Sequence, residues 1–291
     1  MSTIIFYSSQ IGKSCRKLIP LSGADLTSVC SGEDVPADAD LIFRWGCTGR
    51  TGRNNAKFVN TTAAIEWCCD KKAARLAMQA AGVPVPETWS TEDFKVLANR
   101  ADGPINDLDK FVSRPEHHTQ GKEMYVNTAR GMGWNQEFFN NGYISRYVPK
   151  VAEYRVFVVQ NRVAWVNKTE DPGDGRIAWN YADGDNVYWG EWPVNVVQAA
   201  LAAAKVSKTD FCAVDLMVTA SGAAYVSEVN SAPAQEGTYH PTCVVKCFDY
   251  IIANGKQAFP DPVLPEGTPA DRAWRWFIHP AVSRSANAVH S

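Results

Sequence analysis

Residues 211–229 hold two apolar, β-branched runs, Phe211 to Val218 and Ala223 to Val229, divided by Thr219-Ala220-Ser221-Gly222. Runs of that length around a short polar break ending in glycine predict two adjacent antiparallel strands. The device recurs. Glu153 to Val159 and Val163 to Val166 flank the turn Gln160-Asn161-Arg162, and Lys110 to Pro115 and Glu123 to Val126 flank the polar loop 116–122. Tyr143 to Val148 is extended and ends at Pro149. Helical patterns lie between these strands. Ala63 to Cys69 follows the cap cluster Asn60-Thr61-Thr62, and Asp70 to Ala81 is stopped by Gly82 before the extended Val83-Pro84-Val85-Pro86. A helix opening at Trp192-Pro193 and running to Val206 carries apolar Val196, Val197, Ala200, Leu201 and Ala204, and Val244 to Ala253 is another helix. The first residues read as strand, turn and helix from Thr3, with a second short strand over Asp40 to Trp45. The sum predicts mixed α and β structure, with hairpins rather than uniform βαβ alternation.

Composition excludes more than it identifies. The 291 residues, 45% hydrophobic and 21% charged, are enough for more than one domain. A net charge of -2 gives no broad basic field for nucleic acid. The longest apolar stretches, such as Ala199 to Ala204, are far too short to span a bilayer. Met1 to Phe6 has neither a basic segment nor a small-residue cleavage site, so a cytoplasmic protein with reduced thiols is expected. Cys243 and Cys247 lie one helical turn apart without a second pair, which argues against a zinc site.

The chemistry concentrates near the chain's last hairpin. Asp215 lies on one strand, and Glu228 and Asn230 lie two residues apart on the next, so the latter two share a face. If Asp215 lies across the ladder, three oxygen-bearing groups converge, a set suited to magnesium held beside substrate phosphates. Acids at alternate positions also occur on any solvated sheet face, and the spacing alone leaves both readings open.

Here the chain resembles the ATP-grasp superfamily, in particular its ribosomal-protein glutamate ligase (RimK-like) branch. Val226-Ser227-Glu228-Val229-Asn230-Ser231-Ala232-Pro233 is similar to the family's metal-binding run, although Ala234 stands where glycine is frequent. Asn60 to Ile65, Asp70-Lys71 and Ala81 to Thr88 match an upstream segment in the same order. Val112-Ser113-Arg114-Pro115, leading to Gln120-Gly121-Lys122, resembles the strand and flexible loop that cover the triphosphate, with Arg114 in place of the usual lysine. Ser145 to Val148 resembles the adenine hinge, and Glu153-Tyr154-Arg155 the strand after it. The resemblance covers roughly Asp40 to Pro241 and leaves the tail after about Pro260 unmatched.

The resemblance implies an ATP-grasp fold, two α+β subdomains clasping ATP behind a small α/β domain. The expected boundaries are 1–68, 69–147 and 148–262, with a tail over 263–291. It implies that Asp215, Glu228 and Asn230 hold magnesium, with manganese as the alternative metal. Lys71, Arg114 and Lys122 would meet the phosphates. Tyr147 and Val148 would meet adenine through backbone atoms, with Glu153 near the ribose or the hinge. Arg155 either faces the cleft or pairs with an acid, and Lys168, Arg176 and Asn180 would steady the reacting acyl group. The histidines at 117 and 118 lie in the covering loop, where exposure is the ordinary expectation.

The implied activity is an ATP-dependent carboxylate–amine ligase that works through an acyl phosphate and releases ADP and phosphate. Its partners would be a small-molecule, peptide or protein carboxylate and an amine, with homo-oligomerisation as in relatives. The competing readings are a small-molecule kinase on the same scaffold and a non-catalytic nucleotide-binding or structural protein. Gly12-Lys13-Ser14 does not add a Walker loop, because Tyr7 occupies the earlier glycine position.

Overall fold

The computed structural model describes residues 3–8, 13–31, 33, 35–49, 57–98, 105–106, 108–115, 124–132, 142–173, 175, 177, 179, 192–235 and 239–256. Its first unit is a parallel sheet. Strands β1 (Thr3–Ser8), β2 (Leu26–Cys30), β3 (Ala39–Trp45) and β4 (Lys57–Val59) lie in the order β2-β1-β3-β4, with α1 (Lys13–Leu18) between the first two. Ile4, Ile5, Phe6 and Tyr7 are all buried, as unbroken apolar runs are in a parallel sheet covered on both faces.

Two antiparallel sheets follow. Helices α2 (Thr62–Cys69) and α3 (Lys71–Ala80) lead to β5 (Thr88–Ser90) and α4 (Thr91–Ala98). Next come β6 (Lys110–Arg114), β7 (Tyr125–Thr128), the one-turn α5 (Ala129–Met132) and β8 (Tyr143–Arg146). The strands form the sheet β5-β8-β6-β7 around Trp89, Phe94, Phe111 and Ile144. The third sheet, β10-β9-β11-β12, contains β9 (Lys150–Val159), β10 (Arg162–Glu170), β11 (Phe211–Thr219) and β12 (Ala224–Asn230). Helices α6 (Val194–Ser207) and α7 (Tyr239–Asn254) pack on it.

The first and third sheets share one apolar core. The Trp45 and Phe211 ring centroids are 5.1 Å apart, and those of Phe43 and Phe248 are 4.9 Å apart. Full burial of each such side chain favours folding by about 1.5–3 kcal/mol. A polar clamp reinforces the junction. Asn60, fully buried at φ 63°, accepts from the amides of Asp210 (2.7 Å) and Phe211 (3.2 Å) through Oδ1. Its Nδ2 donates to the Phe211 carbonyl at 2.9 Å, and its own amide to the Asp210 carboxylate at 2.7 Å.

The mixed, hairpin-rich architecture agrees with the sequence pattern, and several local features differ. Residues 88–98 carry β5 and α4, which the sequence pattern does not reveal, because Trp89 and Phe94 are the only buried apolar side chains there and two anchors set no visible period. Strand β2 leaves no clear signal for a similar reason, its alternation being broken at Val29 and Cys30. Strands β9 and β10 extend beyond the expected ends, since their continued pairing at Ala152–Glu170 is a tertiary effect. Lys13 and Ser14 open α1, where Ser14 accepts from the Gln235 amide at 3.1 Å. That structural use fits a helix start.

All eight cysteines are free thiols, six of them buried. Among the described residues no helix is long and apolar enough to cross a membrane.

Candidate active site

Register brings the acids together. Asp215 on β11 faces Glu228 on β12, and on its other side it faces Arg155 on β9. The β11–β12 ladder slips after this pair, so that Leu216 faces Val226 and Ser227 is an extra residue. This β-bulge changes the parity of the strand. Ala224 and Val226 are buried before it and Val229 after it, while Tyr225, Glu228 and Asn230 remain partly exposed. In a regular ladder through all seven residues, Glu228 would share the face of Val226 and enter the core. The Ser227 hydroxyl closes the bulge by donating to the Asp215 carbonyl at 3.0 Å.

The carboxylates are tightly held. Arg155 donates to both oxygens of Asp215, from Nε at 2.6 Å and Nη2 at 2.8 Å, the bidentate geometry that favours arginine. The alternatives left open for Arg155 therefore merge, since it pairs with an acid within the cleft. Asn230 Nδ2 donates to Asp215 at 3.0 Å and to Glu228 at 2.8 Å. Its Oδ1 is turned instead to the Lys71 ammonium at 3.3 Å.

The second wall comes from elsewhere in the chain. The Asp70 side chain caps α3 by accepting from the Ala73 amide at 2.9 Å, which places Lys71 at the first helical position. At the other end, the amides of Gly82 and Val83 bond back to the Gln79 and Met78 carbonyls, a Schellman closure made accessible by Gly82 at φ 74°. So fixed, Lys71 reaches Glu228 at 3.5 Å and the Val229 carbonyl at 3.3 Å. Arg114, at the end of β6, donates to the Met124 sulfur at 3.4 Å, while its buried Nε has no hydrogen-bond partner.

Electrostatics separates the two acids. Burial raises Asp215 above the usual carboxylate range, against the pull of Arg155 and with Glu228 adding to the rise. Burial acts on Glu228 in the same sense, but Lys71, the bond from Asn230, Arg114 and Arg155 outweigh it and hold that carboxyl at about 2. Burial also raises Glu153, opposed by its partner Lys150 and by Arg114 and reinforced by Asp215.

The other expected residues have varied surroundings. Lys168 pairs with Glu170 at 2.7 Å, two residues along β10. The Tyr147 amide donates to the Lys110 carbonyl at 2.8 Å, and the Val148 carbonyl accepts from the Lys150 amide at 2.9 Å. Lys122, Arg176, Asn180 and the histidines at 117 and 118 lie outside the described residues. Two neighbours of the site were not anticipated, Ser227 in the bulge and the buried Arg75, whose Nη2 donates to the Ser227 carbonyl at 2.5 Å. A charged residue at the fifth helix position gives no sequence signal of burial.

The donor set fits a hard divalent cation beside an anion. Two carboxylates lie on facing strand positions, and an amide oxygen becomes available if Asn230 turns over, since its orientation follows from its hydrogen bonds. The unpartnered Arg114 Nε suits an anionic oxygen. Among the described residues no cluster of three His, Cys, Asp or Glu competes for a metal.

Residues 114–240 match a family of ATP-grasp domains, the second family of its clade. Among solved structures, the ATP-grasp ligase PsnB, complexed with a phosphomimetic variant of its minimal precursor, Mg and ADP, superposes with a TM-score of 0.61. It is 13% identical, with 88% of this chain and 99% of that chain covered. The VanG D-Ala:D-Ser ligase from Enterococcus faecalis gives a TM-score of 0.63 at 12% identity, covering 88% of this chain and 100% of its own. A RimK domain ATP-grasp protein from Sphaerobacter thermophilus gives 0.57 at 14% identity, covering 86% and 98%. A search of curated proteins by sequence returned no match.

Proposed function

From the premise that this chain carries an ATP-grasp domain in the RimK-like fold, we propose that it is an ATP- and magnesium-dependent carboxylate–amine ligase. The observation that carries the reading is the convergence of Asp215, Glu228 and Asn230 on one face of a bulged hairpin, opposite Lys71 and Arg114. Bound magnesium would supply charge neutralisation at the phosphates, and Asp215, Glu228 and Asn230 would hold it, with manganese as a substitute. Lys71, Arg114 and Lys122 would position the phosphate chain. The Tyr147 amide is already committed to Lys110, so the Val148 amide and the Tyr147 carbonyl are the hinge atoms assigned to adenine.

A carboxylate resists amines because oxide is a poor leaving group, and phosphorylation replaces it with phosphate. The protein's share is positional and electrostatic. Arg155 orients Asp215, Glu153 faces the ribose side, and Lys168, Arg176 and Asn180 steady the activated acyl group. The ATP-grasp ligase PsnB has been solved with its minimal precursor and the macrocyclase MdnC with its precursor peptide MdnA, which supports a peptide carboxylate as the first acid to try. The corresponding units are 1–68, 69–147 and 148–262, with a tail over 263–291.

The test is incubation with ATP, magnesium and hydroxylamine across a panel of free acids and of peptides bearing Asp or Glu. Hydroxamate accompanied by ADP and phosphate is expected with one class of acid. A stable phosphorylated product without hydroxamate would instead make the chain a kinase.

A further inference from the structure

Arg75 lies one turn beyond Lys71 on α3 and is 2% exposed. Burying a guanidinium is costly unless its donors are used. One is used on the bulge itself, from Nη2 to the Ser227 carbonyl. The edge of β12 is thus held at three successive points, by Lys71 at the Val229 carbonyl, Arg75 at the Ser227 carbonyl, and the Pro84 carbonyl at the Val226 amide (2.7 Å). The helical spacing of residues 71 and 75 matches the two-residue spacing of carbonyls along a strand.

A neutral donor would suffice to cap that edge. Arg75 does more than cap, because its buried Nη1 has no hydrogen-bond partner and its charge acts on both walls of the cleft. Burial disfavours its charge most, Tyr143 and Glu228 favour the charged form, and Arg114 from β6 opposes it. Arg75 and Arg114, from different elements, thus each keep a buried N–H without a hydrogen-bond partner.

We propose that Arg75 is a positioning residue of the metal site, one that clamps the Ser227 bulge so that Glu228 and Asn230 face the cleft and that fixes Glu228 relative to Arg114. It acts through those neighbours without itself touching the nucleotide. The proposal rests on the nucleotide and metal reading above. It predicts an effect that a plain structural cap does not produce, namely a loss confined to the metal-dependent part of nucleotide affinity.

The experiment is calorimetric titration of the full chain with ADP, with and without magnesium, alongside thermal melting. In Arg75→Met, magnesium should improve ADP binding at least tenfold less than it does in the wild type. Arg75→Lys retains a donor for the Ser227 carbonyl and should recover most of that improvement. Lys72→Met, one position along the helix from Lys71, should match the wild type. If Arg75→Met melts lower but keeps the full magnesium effect, the clamp is only structural and the proposal fails. Should Arg75→Met not fold, Arg75→Gln, which shortens the side chain and removes its charge, should reduce the magnesium effect severalfold; an unchanged effect in a folded Arg75→Gln overturns the proposal as well. A wild-type chain that binds no magnesium–nucleotide would instead refute the underlying functional reading.

Discussion

The acidic and cationic walls of the cleft are built by opposite means. Asp215, Glu228 and Asn230 sit on two neighbouring strands within 16 residues of chain, locked by ladder register and by hydrogen bonds among themselves. Lys71 and Arg114 come from a helix start and a strand end in different parts of the chain, and Arg114 retains an unpartnered nitrogen. Backbone pairing fixes the first wall before any ligand arrives. The second depends on how separately formed elements are brought together, which would suit the proposed closure around nucleotide phosphates.

The largest expected effect would break this contrast outright. Replacing Glu228 with alanine should weaken magnesium-dependent nucleotide binding about 100-fold or more, beyond the usual 10–100-fold cost of losing an outer-shell partner. Isothermal titration with ADP and magnesium measures it. A change below threefold would mean that the strand pair is not the metal wall.

On the cationic side, Arg114→Met should cost about tenfold in nucleotide affinity, near 1.4 kcal/mol, with Arg114→Lys recovering part of it. The same titration run without magnesium checks this, because the loss should persist there.

A third variant tests the docking that presents both walls. Asn60→Ala removes several bonds at a fully buried site held at φ 63°, and should lower unfolding free energy by about 2–4 kcal/mol in urea melts. Asn60→Gly, which removes the conformational strain but not the lost bonds, should not restore it.

Much of the acidic wall was legible in the sequence, and little of its fine adjustment. Alternation along β12 implied that Glu228 and Asn230 share a face, and it holds because the slip lies before Glu228 and leaves the pairing beyond it regular. The bulge itself was not legible, since Ser227 carries no mark of being the extra residue until Asp215 and Leu216 choose their partners. The start of α3 near Asp70-Lys71 was readable from the helical pattern, while the capping role of Asp70 was not. Nor was Arg75, because helix periodicity places it beside Leu76 and only the packing of β12 against α3 reveals its burial. Asn60 read as part of a cap cluster, yet Thr61 is the cap, accepting from Ala64, and Asn60 serves a contact 150 residues away. Long-range uses of short polar side chains leave no local pattern.

The smallest expected effect sharpens the comparison at the phosphate-side sheet. Asp109 lies below the usual carboxylate range because Arg146 donates to it at 2.7 Å, aided by the Asn106 turn. A depressed carboxyl adds stability above its unfolded value, about 3.9, and loses it as pH falls through the folded one. Asp109→Asn should therefore flatten the decline in melting temperature below about pH 4, and leave the neutral-pH value within a degree or two because the pair is only partly buried and screened by solvent.

The slip at Ser227 also bears on how this hairpin tolerates changes of length. Excising that serine would restore a plain period of two, leaving Glu228 opposite Asp215 and Tyr225, Glu228 and Asn230 on their present side. Adding a residue beside it does neither. If the slip persists, every later side chain inverts; if the ladder runs straight, Glu228 is carried two positions on, opposite Ala213. For related chains aligned through this strand, a one-residue gap at 227 is therefore compatible with Asp215, Glu228 and Asn230 keeping their present side, and a one-residue gain is not.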